Sequence, residues 1–139
     1  MKKISYFLFQ VSIGLLMISC AEPKKKQMPE TGSMLQHNVY FYLNDSISNS
    51  DRKEFEKGLQ KLLSIDAIHK SEVGLTADTK PREVTDHDFD YSLFIWFKSK
   101  DNYEIYAEHP DHMEFIENYQ SLWEAVKVYD SQIIKPNFD

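Results

Sequence analysis

Residues 89–98 constrain the fold of this chain more than any other stretch. Tyr91, Leu93, Ile95 and Phe97 alternate with Ser92, Phe94 and Trp96, so an extended strand here carries large apolar groups on both sides. Such a strand belongs inside a sheet, with cover on each face. Residues 37–43 repeat the pattern, Val39, Phe41 and Leu43 alternating with Asn38, Tyr40 and Tyr42. A weaker strand is expected over 68–75, closed by Gly74. A last one is expected over 124–134, with Val126 and Val128 opposite Lys127 and Tyr129 and with Pro136 to stop it.

Helical spacing fills the gaps between these strands. Phe55, Leu59, Leu62 and Leu63 form one apolar stripe, and Ser50 or Asp51 supplies the cap, Glu54 standing three residues beyond Asp51. Ser99 caps a short helix reaching residue 107. Pro110 and Asp111 then suit a first helical turn, where the missing proline N–H would have had no partner and a carboxylate meets the positive helix end. Met113, Ile116, Tyr119 and Leu122 give that helix its apolar positions, with Phe115 alongside. The resulting order is βαββαβ, an α+β domain. The polar segment 76–88, with Pro81 and His87, is long for a link between paired strands and suits either a lid or a tolerated insertion.

The first nineteen residues read as an address. Lys2 and Lys3 precede an apolar run over 4–18 that is short of the ~20 residues a membrane-crossing helix requires, which fits a signal peptide. Cys20, the single cysteine of the chain, has no disulfide partner within it. Its place after Met17, Ile18 and Ser19 resembles the lipobox of bacterial lipoproteins, which implies lipidation of Cys20 and cleavage before it. Residues 20–33 hold little to bury and two prolines, the composition of a tether. This gives a signal peptide (1–19), a lipidated tether (20–33), one domain (34–134) and a short tail (135–139). The expected location is the cell envelope, anchored through Cys20 to the membrane and facing the periplasm.

Residues 34–134 hold ten Lys and Arg against nineteen Asp and Glu, a formal charge of −9. Nucleic-acid binding needs clustered basic charge, so no nucleic-acid partner is expected. No Gly-rich phosphate loop or zinc-type Cys/His spacing occurs. His109 and His112 stand three apart, but Pro110 takes His109 off the helical face and spacing offers no third ligand, so no metal is expected.

The segment carrying the most chemistry is 106–112, where Tyr106, His109 and His112 surround one helix start. Histidine is the side chain whose unperturbed pKa lies nearest neutrality, and a neighbouring phenol can donate a proton. Each residue has a structural alternative: His112 as a first-turn polar group bonded to backbone, Tyr106 as packing against Tyr103 and the sheet, Trp96 as a core or interface anchor.

The whole of 34–134 resembles the stress-responsive A/B barrel (Dabb) family. The resemblance rests on residues 34–39, on Phe89-Asp90-Tyr91-Ser92-Leu93 with the Phe97-Lys98-Ser99 exit, on the 106–112 segment, and on the closing 126–130. It implies a ferredoxin-like subunit that pairs with a second copy as a dimeric α/β-barrel. A plant polyketide cyclase of this family performs a cofactor-free condensation with a His and Tyr pair in the corresponding segment. Carried over by position, the catalytic pair is His112 and Tyr106, with no cofactor. The same resemblance places His37 near that cavity, His109 beside the pair, and Tyr91 where many relatives carry histidine; together with Trp96, a large aromatic platform by residue type, these are the ligand-lining candidates. Two readings follow. The first is a lipid-anchored homodimer whose barrel takes a small apolar or aromatic ligand, in a setting of envelope stress. The second is a cyclase-like or isomerase-like proton-transfer enzyme.

Overall fold

A computed structural model describes residues 33–134 of the chain. The signal segment, Cys20, nearly all of the tether and the tail lie outside the described residues. The elements run β1 (Leu35–Leu43), α1 (Asn49–Leu62), β2 (Lys70–Gly74), β3 (Tyr91–Phe97), α2 (Lys100–Ala107), α3 (Pro110–Tyr119), a 3-10 turn (Gln120–Leu122) and β4 (Trp123–Gln132). The four strands form one antiparallel sheet in the order β2-β3-β1-β4. This is the ferredoxin-like α+β fold expected, with the second helical unit divided in two.

Both strands with two apolar faces are the inner ones. Phe41, Val39 and His37 of β1 stand opposite Tyr91, Leu93 and Ile95 of β3 and point to the side that the helices cover. The core gathers there, with Phe55, Leu93, Ile95, Phe97 and Tyr106 almost wholly buried. Asn38, Tyr40, Ser92, Phe94 and Trp96 belong to the other side, which no helix covers. Ser92 and Tyr42 are nevertheless buried, because residues 75–90, which form no regular element, fold across that end of the sheet. Thr76 Oγ1 donates to the Phe89 carbonyl, and the Tyr42 hydroxyl donates to Asp86 at 2.7 Å.

Three sequence expectations are corrected. The cap of α1 is Ser48, neither Ser50 nor Asp51. Its Oγ accepts from the Asp51 N–H at 3.1 Å while Asp51 reaches back to the Ser48 backbone and hydroxyl. The capping box thus begins three residues earlier than the Asp51–Glu54 spacing suggests. β2 is shorter than expected because it is an edge strand, with Val73 and Leu75 largely exposed. On α3 the core-facing residue is Phe115, whereas Met113 points to solvent. Pro110 opens α3 as expected, and His109 is its N-cap.

α1 and α3 approach closely at Gly58. A Cβ there would stand 2.3 Å from the Tyr119 ring, so only glycine admits that ring. Tyr119 in turn packs on Phe115 and Phe55, with centroids 5.2 and 6.0 Å away.

Candidate functional site

β1, α2 and α3 bring His37, Tyr106 and His112 together on the helix side of the sheet. The pleat turns His37 inward, opposite Ile95 on β3 and Asp130 on β4. A carboxylate oxygen can only accept, so the His37 Nδ1–H donates to Asp130 Oδ1 at 2.6 Å. α2, capped by Ser99, buries Tyr106 against Phe97 at 5.1 Å and His37 at 6.0 Å between centroids. Tyr103, one turn earlier, packs on His37 at 5.6 Å. The chain then turns at His109, whose Nδ1 accepts from the Asp111 N–H at 3.1 Å. That cap fixes the start of α3 and sets the His112 ring 4.6 Å from Tyr106.

Hydrogen bonding fixes the tautomer of His112. The Ala107 carbonyl lies 2.9 Å from its Nδ1, so that nitrogen carries the proton and Nε2 presents the lone pair. Burial lowers the pKa of this imidazole below its usual value, outweighing the Ala107 bond, and His37 and His109 add to the lowering. Burial raises the Tyr106 phenol well above its usual range, with Tyr103 adding to the effect. At neutral pH the pair is therefore a neutral imidazole with a free lone pair beside a neutral phenol with a free proton, the two halves of a general acid–base arrangement. Among the described residues, the Tyr106 hydroxyl makes no hydrogen bond to protein. It is not sealed from solvent either, since the sealed and unpaired side-chain atom is Asn38 Oδ1, on the opposite face.

The remaining candidates lie elsewhere. Tyr91 is under α1 at the far end of β3, its hydroxyl donating to Glu56 at 2.7 Å with Arg52 above its ring. Trp96 is on the open face, where Lys70 sits 4.6 Å over its indole. His109 serves as a helix cap. Sequence reading missed Asp130 as a site residue and named Tyr103 only as packing for Tyr106. Asp130 left no legible signal, since its meeting with His37 depends on strand register, which is not known before pairing. Among the described residues no three His, Cys, Asp or Glu gather as metal ligands would.

A four-stranded antiparallel sheet in the order β2-β3-β1-β4, with helices on one face and the other face free of helices, is the ferredoxin-like α+β fold. The chain belongs to the stress-responsive A/B barrel (Dabb) domain family, whose profile matches residues 35–133. It is 28% identical over 101 residues to the stress-response A/B barrel domain-containing protein DABB1 of Arabidopsis thaliana, covering 70% of this chain and 46% of that protein; the chain thus spans about half of that relative's length. Among solved structures it resembles a dimeric ferredoxin-like protein from Bacteroides fragilis, at 24% identity and TM-score 0.56, over 74% of this chain and 99% of that one. It also resembles a hydroxynitrile lyase from Passiflora edulis, at 15% identity and TM-score 0.63, over 76% and 98% of the two chains. At these identities the structural likeness speaks for the fold.

Proposed function

We propose that this chain is a lipid-anchored, homodimeric envelope protein that binds a small apolar or aromatic molecule bearing a polar oxygen at the His37–Tyr106–His112 cluster. The observation that carries the reading is the cluster itself. Three polar side chains from separate elements meet among Phe97 and Tyr103, and the Tyr106 hydroxyl has no protein partner among the described residues. A ligand oxygen would satisfy it while its apolar part displaces water from the aromatic rings.

Dimerisation is supported by the open sheet face. Tyr40, Phe94 and Trp96 stand there without helical cover. A second copy packed sheet to sheet would cover all three, as in a two-layer barrel, and the Bacteroides fragilis neighbour is described as dimeric. Attachment through Cys20 rests on the lipobox-like sequence, and two acyl chains would suffice for stable anchoring.

A second reading, cofactor-free proton transfer at the same cluster, is favoured by the neutral His112 lone pair beside the neutral Tyr106 phenol. The base would remove a proton next to a carbonyl while the phenol steadies the resulting oxyanion. Both readings are tested by thermal shift of the full chain, His112→Ala and Tyr106→Phe against aromatic, β-polyketone and lipid-like compounds. Stabilisation of the wild type that both variants lose while still folded supports the site, and turnover of the stabilising compound then decides for the enzyme. Stabilisation unaffected by either substitution would remove the cluster from the function. Light scattering that reports a monomer at micromolar concentration would remove the dimer.

A further inference from the structure

The chain enters its sheet at the end where the His37–Tyr106–His112 cluster lies. Met34 is held on β4, its carbonyl accepting from the Ile133 N–H at 2.8 Å and from Gln132 Nε2 at 3.0 Å. β1 starts at the next residue, with Leu35 opposite Phe97, the last residue of β3, and Gln132, the last of β4. His37 follows two residues on, and α2 leaves from its cap, Ser99, at the same pole. α1 ends there too, since β2 takes up from it opposite Trp96, and the ion pairs of Lys61 with Asp111 and Glu114, at 3.0 and 2.8 Å, bring the start of α3 to that end of α1.

Large aliphatic side chains stand in the open around this pole. Ile105 and Met113, each one residue from a member of the cluster, are 58% and 56% exposed on α2 and α3. Ile134, just past the end of β4, is 67% exposed. The charges nearby are mixed: Lys98 and Lys100 flank the cap of α2, against Asp101, Glu104 and Glu108 on the helix and its end, and Lys100 is already paired with Glu104 at 3.1 Å. Such a mixture gives no net pull on anionic headgroups, so what the pole offers a partner is apolar area.

We propose that this pole is a membrane-docking surface and that its occupant is the lipid bilayer holding the chain. The proposal rests on the anchored reading of Cys20, which lies outside the described residues. Thirteen residues separate Cys20 from Met34; with their links they span at most about 50 Å even fully extended, and they join the domain at the pole itself. Of the two ends of the sheet, this is the one the anchor holds beside the bilayer. A few exposed aliphatic side chains would bind lipid only weakly on a free protein, because such binding scales with the apolar area buried. A tethered domain meets the surface at an effective concentration on the order of millimolar, and there a weak patch suffices. Docking sets Ile105 and Met113 at the boundary of headgroups and acyl chains and turns the flank of the cluster towards the lipid.

The test uses the chain lipidated at Cys20 and reconstituted into phosphatidylcholine vesicles, with a nitrobenzoxadiazole dye attached through Ile105→Cys, Met113→Cys or, as the control, Lys53→Cys. Lys53 is exposed in the first turns of α1, at the other end of the sheet, and acylation blocks the Cys20 thiol so that each variant takes one dye. Emission from positions 105 and 113 should shift to the blue and be quenched by nitroxide-labelled lipids, with neither change at position 53. Adding Ile105→Glu to Met113→Cys should abolish both changes while the chain still floats with the vesicles, and Ile105→Leu should retain them; circular dichroism verifies that each variant is folded. Replacing part of the phosphatidylcholine by phosphatidylglycerol should alter the signal little. A chain that floats with the vesicles while positions 105 and 113 respond no more than position 53 overturns the docking and leaves the anchor standing. A signal that requires phosphatidylglycerol overturns apolar docking in favour of contact through the lysines. A chain that does not float with the vesicles removes the anchor and the docking together.

Discussion

The contact at Gly58 allows a substitution whose sign should reverse with its neighbour. In a helix interior alanine is favoured over glycine by about 1 kcal/mol, so Gly58→Ala alone would stabilise an isolated α1. In the folded chain the new Cβ would lie 2.3, 2.6 and 3.0 Å from Cε2, Cζ and Cδ2 of Tyr119, more than an ångström inside ordinary contact at the closest atom. Tyr119 relieves this only by swinging out, which abandons its packing on Phe115 and Phe55, each such aromatic contact contributing ~0.5–1.5 kcal/mol. Overpacking of this kind costs ~1–3 kcal/mol, and after the helix gain Gly58→Ala should destabilise by up to about 2 kcal/mol. For a domain of this size that lowers Tm by up to roughly 15 °C. In a Tyr119→Ala background the obstruction is gone, and the same substitution should raise stability by up to about 1 kcal/mol. Urea unfolding of the four proteins closes the double-mutant cycle. Destabilisation by Gly58→Ala of the same size in both backgrounds would refute the reasoning, because the ring would then not be the obstacle.

Three further outcomes follow from the site and its supports. Tyr106→Phe should change stability by less than about 1 kcal/mol, since the hydroxyl has no protein partner to lose, whereas Tyr106→Ala should cost about 3–5 kcal/mol of buried aromatic packing; equal losses in denaturant melts would show that the hydroxyl is bonded after all. The pKa of His112 is lowered in the folded chain, so on acidification the unfolded chain binds this proton first, and stability falls as pH drops through about 6.5 towards the folded value. His112→Gln should flatten that part of the stability–pH curve, and an NMR titration placing the His112 ring at or above 6.5 would contradict it. Ser48→Ala should cost about 1 kcal/mol by removing the α1 cap, while Ser50→Ala should be near neutral, and chemical denaturation distinguishes the two.

The inner strands were legible because residues 37–43 and 89–98 carry apolar groups at every position that a covered sheet interior requires. Capping residues were legible as types but less so as positions: Ser48, Ser50 and Asp51 all fit a helix start, and only the packing of Phe55 and Leu59 decides the phase. The grouping of Tyr106 with His112 could be read from their closeness in sequence, with Pro110 forcing the turn between them. The pairing of His37 with Asp130 could not, because it depends on the register of two strands 93 residues apart. Tyr91 and Trp96 show the limit of reasoning from residue type. A strand sends alternate side chains to opposite faces, and the four strand positions between Tyr91 and Ile95 carry Tyr91 out of reach of the helix-side cluster. The bond from Tyr42 to Asp86 gave no sequence signal, since one acid among those of residues 76–90 is unremarkable until the strand is seen to meet it.

β1 lies inside the sheet, yet its two neighbours, β3 and β4, come from the second half of the chain. As the ribosome releases the polypeptide, the strand that will occupy the middle has no partner until β3 emerges, and it remains an unpaired edge until β4 follows. Folding dominated by such distant pairings is slow compared with that of local helical hairpins. An incomplete chain therefore stays open, with its apolar strands available to a chaperone, until almost the last residue of the domain has been made.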